Sequence, residues 1–314
     1  MRKRVLMLAA LAALAALLLP GTAAVAQVAA PNLNPGALLQ TAQNPGVLQW
    51  SGPSRVSVGY LDGYTRTYSA VGALLSDVSV AGPFFQARAV GEVFSAGAEQ
   101  LRLSVSPVPG SGDYTQTQLA VAMGLGDAIA VGIGQDGVVD DTAAVTREDT
   151  LAIAGVAVRA GGRYYAGVAA GSETHQETPY LEAKRDVLRF GVGYHTRTQT
   201  DGFHAEVFHH TRAARSKENP PAAPVVEDEQ KGDVLVVEWV VSQFYLGLAL
   251  NNERVTNATV PGSSFDEERR IFALGWVPAQ GLAVVAHMES RERSIDAGNT
   301  QDRTRNRVTL VWSF

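Results

Sequence analysis

The chain has 314 residues, 46% of them hydrophobic, no Cys, and a formal net charge of −5. Without Cys there are no disulfides, no thiolate catalysis and no Cys-based metal site. The acidic balance argues against nucleic acid as a partner.

Arg2, Lys3 and Arg4 precede an apolar run from Val5 to Leu19, which Pro20 and Gly21 break. Ala24-Val25-Ala26 then offers a small-residue cleavage pattern before Gln27. This order predicts a secretory signal peptide over 1–26, because the apolar run is too short to span a bilayer. Removing those 26 of 314 residues leaves 288, and losing three positive charges takes −5 to −8. No later stretch has the 18 or so consecutive apolar residues of a membrane helix. Backbone groups in lipid must pair internally, so a spanning chain without such helices has to close a barrel.

Residues 27–53 do not alternate. They hold Asn34-Pro35-Gly36 and, ten residues on, Asn44-Pro45-Gly46, each followed by small apolar residues. Asn-Pro favours a turn. A segment of this length fits inside a barrel lumen as a plug, and simple turn chemistry explains the same residues.

From Ser54 the pattern is period two. Val56, Val58 and Tyr60 alternate with Arg55, Ser57 and Gly59; Leu101, Leu103 and Val105 alternate with Arg102 and Ser104. Leu188, Phe190, Val192 and Tyr194 alternate with Arg189, Gly191, Gly193 and His195. The repeats predict fourteen strands, at 54–61, 83–94, 98–106, 116–125, 127–135, 149–160, 163–174, 185–197, 202–213, 232–242, 244–255, 266–277, 281–292 and 303–314. Between 62 and 82 the sequence allows a further strand or a long loop. From the second strand on, the predicted connections alternate short and long, from Ser95–Gly97 (short) to Arg293–Asp302 (long), with His175–Lys184 among the long ones. Transmembrane barrels alternate in this way, with short periplasmic turns and long outer loops. The reading is therefore all-β: an antiparallel up-and-down transmembrane barrel of about 14 strands (54–314) preceded by a short hatch-like segment (27–53).

The closing stretch Arg303–Phe314 puts Val308, Leu310, Trp312 and Phe314 on one face and Arg303, Arg305, Arg307, Thr309 and Val311 on the other. A strand that ends on Phe resembles the last strand of a bacterial outer-membrane barrel. That resemblance implies recognition of Phe314 by the barrel-assembly machinery and places the protein in a Gram-negative outer membrane, among lipid and lipopolysaccharide. The Asn-Pro-small-x-Leu segment leading into Ser54-Arg55-Val56-Ser57-Val58-Gly59-Tyr60 is similar to the FadL family. So are the arginine-bearing last hairpins, Glu268-Arg269-Arg270 to Trp276 and Asn306-Arg307-Val308 to Phe314. The resemblance implies fourteen strands, an N-terminal hatch (Asn34, Pro35, Asn44, Pro45, Gly46) and passive uptake of hydrophobic molecules such as long-chain fatty acids. It also implies a lateral opening at a kinked strand, for which Gly82-Pro83 and Gly91 are candidates. Gly46 departs from the family's usual Ala, and the chain is short for the family.

Opposite the lipid face, the alternation predicts a lumen wall that includes Arg189, His195, Glu206, Glu238, Glu253, His287, Glu289, Arg305 and Arg307. Mixed charges there serve either an aqueous path or cross-strand pairing. A mostly polar wall weighs against a hydrophobic cargo unless the hatch supplies the apolar surface. His204 and His210 share one strand face and His209 takes the other, short of the three or four ligands zinc prefers. The acidic loop residues suit either cation or lipopolysaccharide contact, or plain solvation, and show no EF-hand spacing. There is no His-x-Ser segment, no G-x-S-x-G and no phosphate-binding fingerprint. No enzyme activity, cofactor or metal is expected. The alternatives to a hydrophobic-compound channel are a general diffusion porin and a barrel with only structural or surface-interaction roles.

Overall fold

The computed structural model describes residues 44–50, 54–106, 113–141, 146–161, 163–178, 181–197, 201–218, 228–257, 264–279 and 281–313. Residues 1–26, where a signal peptide is expected, and Asn34, Pro35 and Phe314 lie outside them. A short 3₁₀ helix, Pro45–Trp50, precedes fourteen strands. These are β1 (Arg55–Tyr68), β2 (Leu74–Val90), β3 (Phe94–Ser106), β4 (Asp113–Gly124), β5 (Ile129–Asp140), β6 (Thr146–Ala160) and β7 (Tyr164–Thr178). There follow β8 (Leu181–Arg197), β9 (Asp201–Glu218), β10 (Asp228–Val241), β11 (Phe244–Asn257), β12 (Phe265–Ala279), β13 (Leu282–Ile295) and β14 (Thr300–Ser313).

Each strand pairs antiparallel with its sequence neighbours, and β1 closes on β14 from Arg55↔Ser313 to Tyr68↔Thr300. Closure leaves no sheet edge, so every strand has a partner on both sides. An even count puts the start of β1 and the end of β14 at the same end of the barrel. That end carries the short connections, among them Ser242–Gln243 and the turns at Gly126 and Gly281, whose φ values of 77° and 79° suit glycine. We call it the turn end, and the opposite one the loop end.

The strands are longer than the apolar alternation suggests. The first two run to Tyr68 and from Leu74, so residues 62–82 extend both sides of one tight hairpin and hide no further strand. The long loop expected at His175–Lys184 is also strand: β7 continues to Thr178 and β8 begins at Leu181. The first short turn falls at Gly91–Val93 and not at Ser95–Gly97. The excess strand lies toward the loop end, where the outward face turns largely polar and the lipid-facing alternation gives out. On β10, for example, Leu235, Trp239 and Val241 face outward, and above them Asp233 and Lys231 continue the same face.

Every face assignment made on β14 holds. Val308, Leu310 and Trp312 are exposed, whereas Arg307, Thr309 and Val311 are buried inside. The outward band is apolar, and aromatic residues cluster toward its turn end at Phe94, Tyr164, Phe244, Trp276 and Trp312. This is the lipid-facing band of a membrane barrel. The interior is not a polar tube. In the turn half, Val236, Tyr245, Ala273 and Val285 are fully buried and pack with Val240, Val311 and their neighbours into a core spanning β9 to β14.

Candidate functional site: the barrel interior

The residues around Asn44-Pro45-Gly46 form a turn that docks on the inner wall. Val47 N–H donates to Asn44 O (3.0 Å), and Gly46 N–H donates to Asn44 Oδ1 (3.1 Å). The Asn44 amide donates to the carbonyls of Val156 (3.0 Å) and Val168 (3.4 Å), on β6 and β7. At the other end, Gln49 Nε2 donates to Gly91 O (2.7 Å) and Glu92 O (3.0 Å), and Gln49 Oε1 accepts from Ser95 Oγ (2.8 Å). Leu48 is fully buried against Ala120 and Ala122. The segment thus lies flat from the β2–β3 turn across to β7.

The wall is shaped to receive it. Gly132 and Gly155 are cross-strand partners, and Gly167 follows on β7. A Cβ at Gly132 would sit 2.5 Å from Pro45 C; one at Gly155, 2.4 Å from Asn44 Oδ1; one at Gly167, 2.1 Å from Asn44 Nδ2. Three glycines therefore form the cradle, and a side chain at any of them would push on the docked turn. On the outer face of the same patch lies an apolar groove of about 560 Å³, lined by Phe94, Val121, Ile133, Val156 and Val168. Only the thickness of the sheet separates the docked turn from the outer surface there.

Of the predicted lumen residues, Arg189, Glu238, His287, Glu289 and Arg307 are buried inside, and Glu206, Glu253 and Arg305 also face inward. The backbone of His195 pairs with His204 in the β8–β9 ladder; its side chain is not among the described ones. Glu206 and Glu238 meet in one network. Tyr165 Oη donates to Glu206 (2.8 Å) and lies 2.6 Å from His204 Nε2, while His204 Nδ1 lies 2.9 Å from Glu238. Tyr245 Oη donates to the other Glu238 oxygen (3.0 Å). Glu289 accepts from Arg269 (3.0 Å) and Arg303 (2.9 Å), so these charges are cross-strand pairs. His209 faces out, against Phe190 and beside Asp233 (2.8 Å), as the parity of the strand requires. Among the described residues no three His, Cys, Asp or Glu side chains could hold a metal ion.

The expectation of a mostly polar wall is corrected. Leu61, Val80, Phe84, Leu101, Leu103 and Val105 form an apolar cluster on the inner face of β1, β2 and β3, with Tyr114 packed against it. On β3 the polar residues Arg102, Ser104 and Ser106 point outward instead. The signal is a parity switch within one strand. Phe94 and Ala96 are apolar and outward, whereas Leu101, Leu103 and Val105 are apolar and inward, with the change before Leu101. It passes unnoticed when each strand is assumed to keep one phase. Beside this patch the β2–β3 ladder is interrupted: Ala81↔Ser104 is followed by Phe84↔Leu101, skipping Gly82 and Pro83. Pro83 has no N–H to give. Gly91, the other kink candidate, lies just past β2 at the turn end.

A closed fourteen-stranded antiparallel barrel with an N-terminal turn docked on its inner wall defines a class of membrane barrel. No family model and no curated protein matches the sequence. Among solved structures the chain is similar to the toluene transporter TbuX of Ralstonia pickettii, at 10% identity and a TM-score of 0.54, over 91% of this chain and 95% of that one. It is similar to a FadL homologue of Pseudomonas aeruginosa at 10% identity and a TM-score of 0.53, covering 94% and 98%. An outer membrane channel from Pseudomonas putida F1 matches at 11% identity and 0.51, covering 83% and 96%. At such identities the likeness is one of fold. The protein has the fold of the FadL-type barrels.

Proposed function

We propose that the protein is an outer-membrane channel of a Gram-negative bacterium for passive uptake of hydrophobic small molecules, long-chain fatty acids among them. The observation that carries this is the inward apolar patch of β1–β3 near the loop end. There the outer face of β3 is polar, so burial in lipid does not explain the parity. An apolar surface facing the lumen favours an apolar occupant, because it is desolvated when one binds. The turn end is periplasmic and the loop end extracellular, by the usual asymmetry of loop lengths. The patch then meets molecules entering from outside, and Asn44–Trp50 acts as the hatch below it. The likeness to a toluene transporter and to a FadL homologue supports the same reading. The outer face contacts lipid and lipopolysaccharide, and Phe314 is the feature that the assembly machinery would read.

A diffusion porin is the competing reading, and the packed core of the turn half speaks against it. Reconstituted protein should show low conductance in planar bilayers while transferring a fluorescent fatty acid into vesicles. Leu103→Asp should abolish most of that transfer. A large, steady open conductance would sink the proposal.

A further inference from the structure

Cross-strand partners share a face, so the outward surface of the seam from β12 through β13 and β14 to β1 can be taken row by row. Counted from the turn end, three rows are apolar. They are Leu282↔Trp312↔Val56, then Trp276↔Val284↔Leu310↔Val58, then Leu274↔Ala286↔Val308↔Tyr60. The fourth row is divided: Phe272 and Met288 continue the apolar surface, but Asn306 and Asp62 do not. The fifth holds Arg270, Ser290, Thr304 and Tyr64, and the sixth Glu268, Glu292, Asp302 and Arg66. Arg270 and Glu268 pair with each other (2.7 Å) and point out of the wall, with side chains 63% and 46% exposed.

Successive rows are about 5 Å apart in height, at about 3.3 Å per residue and a tilt near 40°. Three apolar rows with half a row of margin on each side give a belt of about 15 Å, where an ordinary barrel belt has about 25 Å. Across the barrel, β6 differs. Its outward residues Ala152, Ala154, Val156, Val158 and Ala160 are all apolar, and five positions give about 25 Å by the same measure. Tilting the barrel moves the belt without lengthening it, so tilt does not reconcile the two sides. A bilayer of even thickness would draw the fourth and fifth rows of the seam into hydrocarbon, Asp62 and Arg270 with them. Arg270 has a stem long enough to snorkel; Asp62 does not.

We propose that lipid meets this seam as a locally thinned bilayer, with the hydrocarbon layer drawn down to about 15 Å beside β14 and close to ordinary thickness beside β6. Bilayers yield to a short apolar surface by thinning at modest cost per ångström, whereas charges on the lipid face are destabilising at depth. The partner is the annulus of lipid acyl chains, compressed on one side of the barrel only. The proposal rests on the reading of the chain as an outer-membrane barrel.

Thr304 and Ala152 make a matched pair for the test. Each lies eight residues along its strand from the lowest outward residue, Trp312 and Ala160 respectively. The chain has no Cys, so Leu310→Cys, Thr304→Cys and Ala152→Cys each give one site for a nitroxide in the otherwise unaltered protein. The labelled variants are reconstituted in dioleoylphosphatidylcholine vesicles, and retained heat-modifiable migration checks their folding. Collision of the label with oxygen reports hydrocarbon, and collision with a water-soluble nickel chelate reports water. Labels at 310 and 152 should favour oxygen several-fold, and the label at 304 should favour nickel to a similar degree. The thinner dilauroylphosphatidylcholine bilayer should leave the label at 304 unchanged, since the wall sets the local thickness. Oxygen preference at 304 in dioleoylphosphatidylcholine would overturn the thinning and leave the outer-membrane reading standing. Nickel preference at 310 and 152 as well would overturn both.

Discussion

Gly155→Val should release the hatch from the wall. The new Cβ would sit 2.4 Å from Asn44 Oδ1, about 1 Å inside ordinary contact. The turn cannot slide sideways to escape. Toward β5, Gly132 already meets the Pro45 backbone, and toward β7, Gly167 already meets the Asn44 amide. The segment must lift, and the Asn44 bonds to Val156 O and Val168 O go with it. Overpacking costs about 1–3 kcal/mol and each net hydrogen bond about 0.5–1.5 kcal/mol. A loss of about 3 kcal/mol shifts docking by roughly two orders of magnitude. The chain has no Cys, so Leu48→Cys introduces a single thiol at a fully buried position of the hatch. Maleimide labelling of that thiol should be slow in the otherwise unaltered protein and faster by about the factor just given when Gly155→Val is added. An unchanged labelling rate would refute the cradle, since it would mean the hatch never depended on the missing side chain.

Leu310→Arg places a charge on the lipid face and should cost about 2–4 kcal/mol near the midplane. Thr309→Arg, on the inner face, should cost no less, because that position is buried in packed interior. Thr309→Val should raise stability by about 1 kcal/mol, since the buried Thr309 hydroxyl has no partner; denaturant midpoints in detergent report all three. Glu238→Ala should lower that midpoint by about 3 kcal/mol, because it strips His204 and Tyr245 of their shared acceptor. A Glu238→Ala midpoint within error of the unaltered one would show that the network is not part of the stabilising interior.

Much of the barrel is legible in the sequence where one face meets lipid. There the alternation is strict, as on β14, and a slip of one residue would turn Arg305 and Arg307 toward lipid. Strand number, pairing order and the faces of β8 to β14 follow from it. Legibility fails where neither face meets lipid. Residues 62–82 and 175–184 carry no long apolar alternation on an outward face, only the short run Val78 and Val80 on the inward one, so strand there reads as loop. It fails again on β3, where the apolar face crosses from outside to inside within one strand.

Asn-Pro-Gly at 44–46 announces a turn. Where that turn docks depends on Gly132, Gly155 and Gly167, brought side by side only by the β5–β7 register. Likewise Arg305, Gly63, Val80 and Val105 are distant in the chain and adjacent only once β1 closes on β14. Period two is a local property of a strand, so where one face keeps a continuous apolar row, sequence alone determined that a strand forms and which of its faces points outward. The content of the interior is a property of strands seen across a closed sheet, and only closure decided it.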